Sequence, residues 1–340
     1  MIRPLTAKRL ASVSGLLAAL LVLVILVSLK LGAVPVSMVD LATNLGRIVI
    51  GQADHLPSEQ SLIIREIRLP RILLGVIVGA ALSVAGAGFQ ALLRNPLADP
   101  YVLGVSSGAA LGAIISLVAA PRVPVAMPIA AFAGALATIT AVYFLGRRGG
   151  ELDSHTLLLA GIISASFLSA VIMFLMTTLS GGELRGIAFW LMGDLTSTRT
   201  PLDAGWLFLL LVLAVGAIYT TAADLNLLLT GEREAMHLGV DVSRVKLVVY
   251  VSASLLTGLA VSISGAIGYV GLIVPHVMRL LFGSDHRMLI PASALGGAIA
   301  IVIADTLART LVAPTELPVG AMTAMAGAPM FIYLLRRRFG

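Results

Sequence analysis

Long apolar runs separated by short polar turns make up most of this chain, and most of the runs approach the roughly 20 residues that a membrane-crossing helix needs. Ten are marked, at 10–29, 69–93, 101–120, 124–146, 156–179, 202–222, 247–267, 271–283, 289–311 and 319–335, the eighth being short. Run two is the most informative. Gly75, Gly79, Ser83 and Gly86 recur every three or four residues, which puts small side chains on one helical face suited to close packing. The run ends at Arg94-Asn95-Pro96, turns through Leu97-Ala98-Asp99-Pro100 and resumes at Tyr101, a proline-punctuated connection between two helices. Run five is followed by Glu183 to Gly193, too short to cross and carrying Phe189 and Trp190; it predicts an amphipathic helix at the membrane interface.

Composition turns this pattern into a class. Hydrophobic residues are 59% and charged residues 12% of the 340, against about 25% charged in soluble domains. The expected fold is an all-α polytopic membrane protein with ten transmembrane helices in a single transmembrane domain over 1–340. Arg3, Lys8 and Arg9 precede the apolar run Leu10 to Leu29, which is longer than a signal-peptide core and reads as an uncleaved first span. With no cysteine, disulfides and thiolate metal sites are excluded. The net charge of +6 does not point to nucleic acid, because the basic residues are scattered over short loops without aromatic interleaving. They read as a topology signal: with a cytoplasmic N-terminus, 14 of the 23 lysines and arginines fall inside, which places both termini in the cytoplasm.

An internal recurrence suggests inverted halves. Gly79, Ser83, Gly86, Ala87 and Pro96 return at an offset of 179 as Gly258, Ser262, Gly265, Ala266 and Pro275. The copies lie in runs two and seven, five crossings apart, so they run in opposite directions, as in transporters built from inverted repeats. The halves are roughly 1–180 and 200–340.

Four features bear on chemistry. Arg65, Arg68, Arg71 and Arg309 lie outside, against the charge bias; they read either as lipid-headgroup anchors or as forks for an acidic partner. The loop 225–246 holds a turn at Thr230-Gly231, a helical stretch Glu232 to Leu238 and a stop at Gly239, either a plain connector or a lever for a cytoplasmic partner. Asp305 and Arg309, four apart on one face, are expected to pair, and a lone intramembrane acid argues against a proton relay. Ser166, Ser169, Met173 and Thr177 form a mildly polar, flexible face on run five, which suits either helix packing or a solute pathway. No G-x-x-x-x-G-K-[ST] phosphate loop occurs, so ATP hydrolysis by this chain is not expected. The five histidines, His55, His155, His237, His276 and His286, lack metal-ligand spacing, and no catalytic nucleophile constellation stands out.

Taken together, these stretches resemble the FecCD-type permeases of type II ABC importers. The resemblance is carried by Arg68-Leu69-Pro70-Arg71, by Asn95-Pro96-Leu97-Ala98-Asp99-Pro100 leading to Leu103-Gly104-Val105-Ser106, and by Gly231-Glu232 with Ala235, Leu238 and Gly239. It continues through Gly265-Ala266-Ile267-Gly268, Gly271 to His276 with Arg279, Asp285-His286-Arg287, Ala304-Asp305 with Arg309, and Glu316-Leu317-Pro318-Val319-Gly320. The resemblance implies a homodimer in the bacterial inner membrane, two cytoplasmic ATPase subunits that bind ATP and Mg, and an outer-face substrate-binding protein. No cofactor is expected in this chain. It also implies that Arg68, Arg71 and Arg309 receive a glutamate of the binding protein, and that Gly231, Glu232, Ala235, Leu238 and Gly239 form the coupling helix. Ser154 and His155, in Asp153-Ser154-His155-Thr156, take the position of the cytoplasmic gate, though the family would have a pair of small hydroxyl residues there. Run five with Ser166, Ser169, Met173 and Thr177, the 183–193 helix and run ten would line the pathway. The expected cargo is a metal chelate, ferric siderophores first, with cobalamin or haem as the alternative.

Overall fold

The computed structural model describes residues 5–32, 34, 36–37, 39, 42–43, 46, 59–119, 123, 126–148, 151–177, 179, 181–196 and 204–339. Arg3, Arg47, His55, Arg122 and Arg199 lie outside them. The helices are α1 (Ala7–Lys30), α2 (Leu69–Leu92), α3 (Val105–Ala119), α4 (Ala126–Leu145), α5 (Ser154–Met176), α6 (Gly181–Leu191) and α7 (Ala204–Thr220). They continue as α8 (Ala222–Leu228), α9 (Glu232–His237), α10 (Val242–Ser264), α11 (Val270–Phe282), α12 (His286–Ala308) and α13 (Val319–Phe339). Arg147–Arg148 and Glu151–Leu152 add a minimal antiparallel ladder just before α5.

Each of the ten apolar runs falls on a helix, but the helices are not equally long. Among the described residues six are long and apolar enough to cross a membrane: α1, the helix 60–92 that contains α2, α4, α5, α10 and α12. The bent pair α7–α8, kinked by 48°, can count as a seventh, while α3, α11 and α13 are shorter apolar helices. At about 1.5 Å per residue, the 13 residues of α11 rise about 20 Å, less than the ~30 Å hydrocarbon thickness. Hydropathy finds α11; whether it crosses is decided by the helices around it.

Burial separates a centre from a periphery. The most apolar windows of the 60–92 helix, α10 and α12 are 89%, 78% and 67% buried, against 6% for α1. α2 packs most extensively on α12 and α10. The predicted small-residue face is what allows this. A Cβ on Gly79 would overlap the Gly297 carbonyl of α12, and one on Gly86 would overlap the Gly271 carbonyl of α11. α2 and α12 run antiparallel, with Arg71 near the start of one against Asp305 near the end of the other.

Some of the residues that recur at offset 179 stand in different local structure. Gly86 lies inside α2, whereas Gly265 ends α10 at φ +65. Pro96 sits in a turn, whereas Pro275 is inside α11. Both glycines allow close backbone approach, Gly86 to the Gly271 carbonyl and Gly265 to that of Trp190, but Gly265 also takes a positive φ.

Helix starts follow local chemistry. The Thr6 and Asp153 side chains accept from the backbone N–H of Arg9 and Thr156, and Asp241 and Asp285 accept from those of Arg244 and Arg287. α2 has no such cap. It continues a helical lead-in, Glu59–Leu62, then a six-residue π-helix, Ile63–Arg68, whose wider turn brings Arg68 to the head of the span.

Candidate functional site

Two polar clusters lie at opposite ends of α2. At its start, Arg68, Arg71 and Arg309 come together as the sequence suggests, but all three are buried, at 4%, 5% and 6% exposure. Each makes hydrogen bonds within the chain. Arg68 donates to the carbonyls of Leu29 (2.7 Å), Lys30 (3.1 Å) and Val34, closing the end of α1 onto α2. Arg309 donates to the Leu31 carbonyl at 2.8 Å and to Ser28. Arg71 donates through Nε to Asp305 Oδ1 at 2.7 Å and through Nη1 to Glu316 Oε2 at 2.8 Å. Arg309 Nε stands 3.4 Å from Asp305 Oδ2, so the expected pair exists, with Arg71 as its third member. Three guanidiniums thus face two carboxylates, and only Glu316 among these five has a half-exposed side chain, at 46%. Arg65, the fourth arginine of the set expected outside, stays near the surface.

The other cluster is built around Glu232, the first residue of α9. Gly231 at φ +138 and Gly239 at φ +87 turn the chain into and out of this single helical turn and a half. Ala235 is fully buried beneath it, while Leu238 points outward, 64% exposed, beside Met236 at 53%. The five predicted coupling residues therefore divide into two turn formers, two inward anchors and one surface contact. Glu232 is an anchor because its carboxylate takes Lys246 Nζ at 2.7 Å on one oxygen and Arg94 on the other. Burial alone would push this carboxyl up; the hydrogen bonds and charges of Lys246 and Arg94 outweigh it and hold it below the ordinary glutamate range. Nearby, Asn226 of α8 donates to Asp285 and accepts from the backbone N–H of His286. The Arg287 guanidinium and Asn226 hold the Asp285 carboxyl at about 2, against a smaller opposing effect of burial.

A polar cleft of about 760 Å³ joins this cluster to the start of α5, lined among others by Arg94, Asn95, Ser154, His155, Glu232 and Lys246. Ser154 and His155 are thus in one cavity with the α9 anchor. The Ser154 hydroxyl donates to the Leu92 carbonyl at 3.3 Å, tying α5 to the end of α2, and His155 is exposed. Farther along α5, Ser166, Ser169, Met173 and Thr177 are all exposed, but so are Ile162, Ile163, Phe167 and Phe174. The predicted polar stripe is therefore part of a broad uncovered surface. Thr177 spends its hydroxyl on the Phe174 carbonyl of its own helix. The interfacial helix forms as α6, with Ile187 and Trp190 turned inward and Phe189 out. Its end locks against the 264–267 turn and the start of α13: Asp194 N donates to the Ser264 carbonyl and Val319 N to that of Gly193.

Sequence reasoning missed Lys246 and Glu316 as members of these clusters. Lys246 was visible only as one more inside cation, although a glutamate 14 residues earlier across a helix break is a usable sign of a bridge. Glu316 stood in a motif, but its partner is 245 residues away.

A helical membrane protein with a small-residue core, a charged network at each end of its central helix and a short exposed helix between two spans is the build of a transport permease. The chain belongs to the FecCD transport family, whose model matches residues 20–337. It is 46% identical over 282 residues to the cobalamin import system permease protein BtuC of Halobacterium salinarum, covering 83% of this chain and 75% of that one. It is 44% identical to the hemin transport system permease protein HmuU of Yersinia pestis, covering 80% and 82%. Among solved structures it resembles a metal-chelate type ABC transporter in an inward-facing conformation, with a TM-score of 0.80, 31% identity, and 96% and 99% of the two chains covered. These relatives are transport permeases rather than enzymes.

Proposed function

We propose that this chain is the transmembrane subunit of an ATP-driven importer that moves a metal chelate, a ferric siderophore in the first instance, from a binding protein into the cytoplasm. The same machinery carrying cobalamin or haem is the second reading, favoured by the cobalamin and hemin permeases among its relatives. The observation that carries the proposal is α9: a short helix pinned from below by Glu232 and Ala235 that presents Met236 and Leu238 outward. Apolar side chains on a charged connector are not placed for lipid, and their burial suits a soluble partner. ATP and Mg belong to two such partner subunits on the cytoplasmic face.

The chain works as a homodimer in the inner membrane, with ten crossings and both termini in the cytoplasm. The uncovered face of α5, with α6 and α13, lines the pathway, and Ser154 and His155 stand at its inner end as the gate. A pathway without charged ligands releases its cargo, since tight binding there would trap it. The Arg68, Arg71 and Arg309 end meets the binding protein through its surplus positive charge, with Glu316 as the half-exposed carboxylate that an incoming glutamate would replace.

The test is co-purification. Met236→Glu and Leu238→Glu alter exposed side chains, so the permease should fold and lose its ATPase subunits. ATPase recovered at the parent ratio would refute the reading.

A further inference from the structure

The Lys246 ammonium, 7% exposed, is shared between two acceptors on different elements. One is the Glu232 carboxylate at the start of α9, at 2.7 Å; the other is the backbone carbonyl of Leu152, at 3.1 Å. Leu152 immediately precedes Asp153, whose side chain caps α5 by accepting from Thr156 N at 2.8 Å. Leu152 also pairs with Arg147 in the two-residue ladder and buries its side chain in the core, and the Ser154 hydroxyl bonds the Leu92 carbonyl. Among the described residues, Lys246 is a charged tether on the backbone just before α5, and that tether ends on α9. Lysine suits this place: a compact ammonium with three donors serves a carboxylate and a carbonyl at once, and an almost buried one is costly to leave unpaired. The cleft of about 760 Å³ beside it is lined by Ser154 and His155 as well as by Glu232 and Lys246, so the α5 start borders open space there.

We propose that Lys246 is the positioning residue that carries displacement of α9 to the first turn of α5, by holding Glu232 and the Leu152 carbonyl on one ammonium. The proposal rests on the reading of α9 as the ATPase contact. When α9 moves, Glu232 draws Lys246, and Lys246 draws the strand end at which Ser154 and His155 begin. Arg94 holds the other carboxylate oxygen and steadies Glu232 without reaching α5. Arg94 and Lys246 thus have different parts, although both pair with one glutamate.

The chain has no cysteine, so labels can be introduced without background. Spin labels at Lys8→Cys on α1 and Leu159→Cys on the exposed side of α5 report movement of the α5 start in the full complex with its ATPase subunits in lipid nanodiscs. The distance distribution is compared without nucleotide and after trapping with ATP and vanadate. In the parent, trapping should shift it. With the shift normalised to the ATPase retained, Lys246→Met should lose it, and Lys246→Arg, which restores a charged donor, should recover it. A shift unchanged in Lys246→Met overturns the proposal. Should that variant not assemble, Glu232→Gln decides, since its amide keeps an oxygen for Lys246 without the charge: a reduced shift supports the relay and an unchanged one overturns it. A parent that does not retain its ATPase overturns the reading of α9 itself, and the relay falls with it.

Discussion

Arg71 Nε lies 2.7 Å from Asp305 Oδ1, an ion pair closed between residues 234 positions apart with both side chains almost fully buried. It fastens the start of α2 to the end of α12, and Arg309 flanks it at 3.4 Å. Removing one member strands charge in a medium that cannot solvate it. Arg71→Met should lower stability by about 3–5 kcal/mol, the usual cost of breaking a buried pair from one side. Thermal unfolding in nanodiscs measures this, and a midpoint equal to the parent's would refute it.

Glycine positions give a sharper contrast. Gly79 and Gly297 have each other's backbone where a Cβ would go, whereas Gly216 on α7 has open space. Gly79→Ala or Gly297→Ala should force the helices apart and cost at least about 1–3 kcal/mol. Gly216→Ala should be neutral or gain up to about 1 kcal/mol. Folded yield and unfolding midpoint together check the pair.

The docking role of the arginine end needs a variant that leaves buried groups alone. Charge reversal at Arg68 would break three carbonyl contacts and confuse docking with folding. Glu316→Gln instead removes a half-exposed carboxylate and raises the positive surplus. It should tighten binding of the substrate-binding protein and steepen its salt dependence, read by titration against nanodiscs. Unchanged or weaker binding would count against this end as the receiver.

Two carboxylates outside the spans have opposite pH behaviour. Asp99, in the turn after α2, is pushed up to about 6 by burial, against the Tyr101 N–H that it accepts at 2.8 Å. The folded state then holds its proton more tightly than the unfolded one, so Asp99 makes stability fall as pH rises from about 4 to 6. Asp285, held down at about 2, contributes stability that is complete above its unfolded value and is lost as pH falls from about 4 toward 2. Asp99→Asn should flatten the first slope only, and Asp285→Asn the second, in chemical unfolding followed across pH.

Much of this protein is legible residue by residue. Helix positions follow from apolar runs, the Asp153, Asp241 and Asp285 caps from side chains that reach their own backbone, and the turns at Gly231 and Gly239 from glycine's tolerance of positive φ. Each depends on interactions a few residues long, and the expectation that the arginines lie outside rests on counting charge between runs. Tertiary structure decided the rest. Whether a guanidinium faces solvent or its own chain depends on what arrives from far along the sequence, and here Leu29, Asp305 and Glu316 arrive first. Gly86 and Gly265 look alike as letters and both meet a neighbouring backbone, but only Gly265 also takes a positive φ. Lys246 ties α9 to α5 only because folding sets a carboxylate and a carbonyl within reach of a single ammonium. Local pattern chooses the elements; long-range contact, where burial makes every unpaired charge costly, chooses the partners.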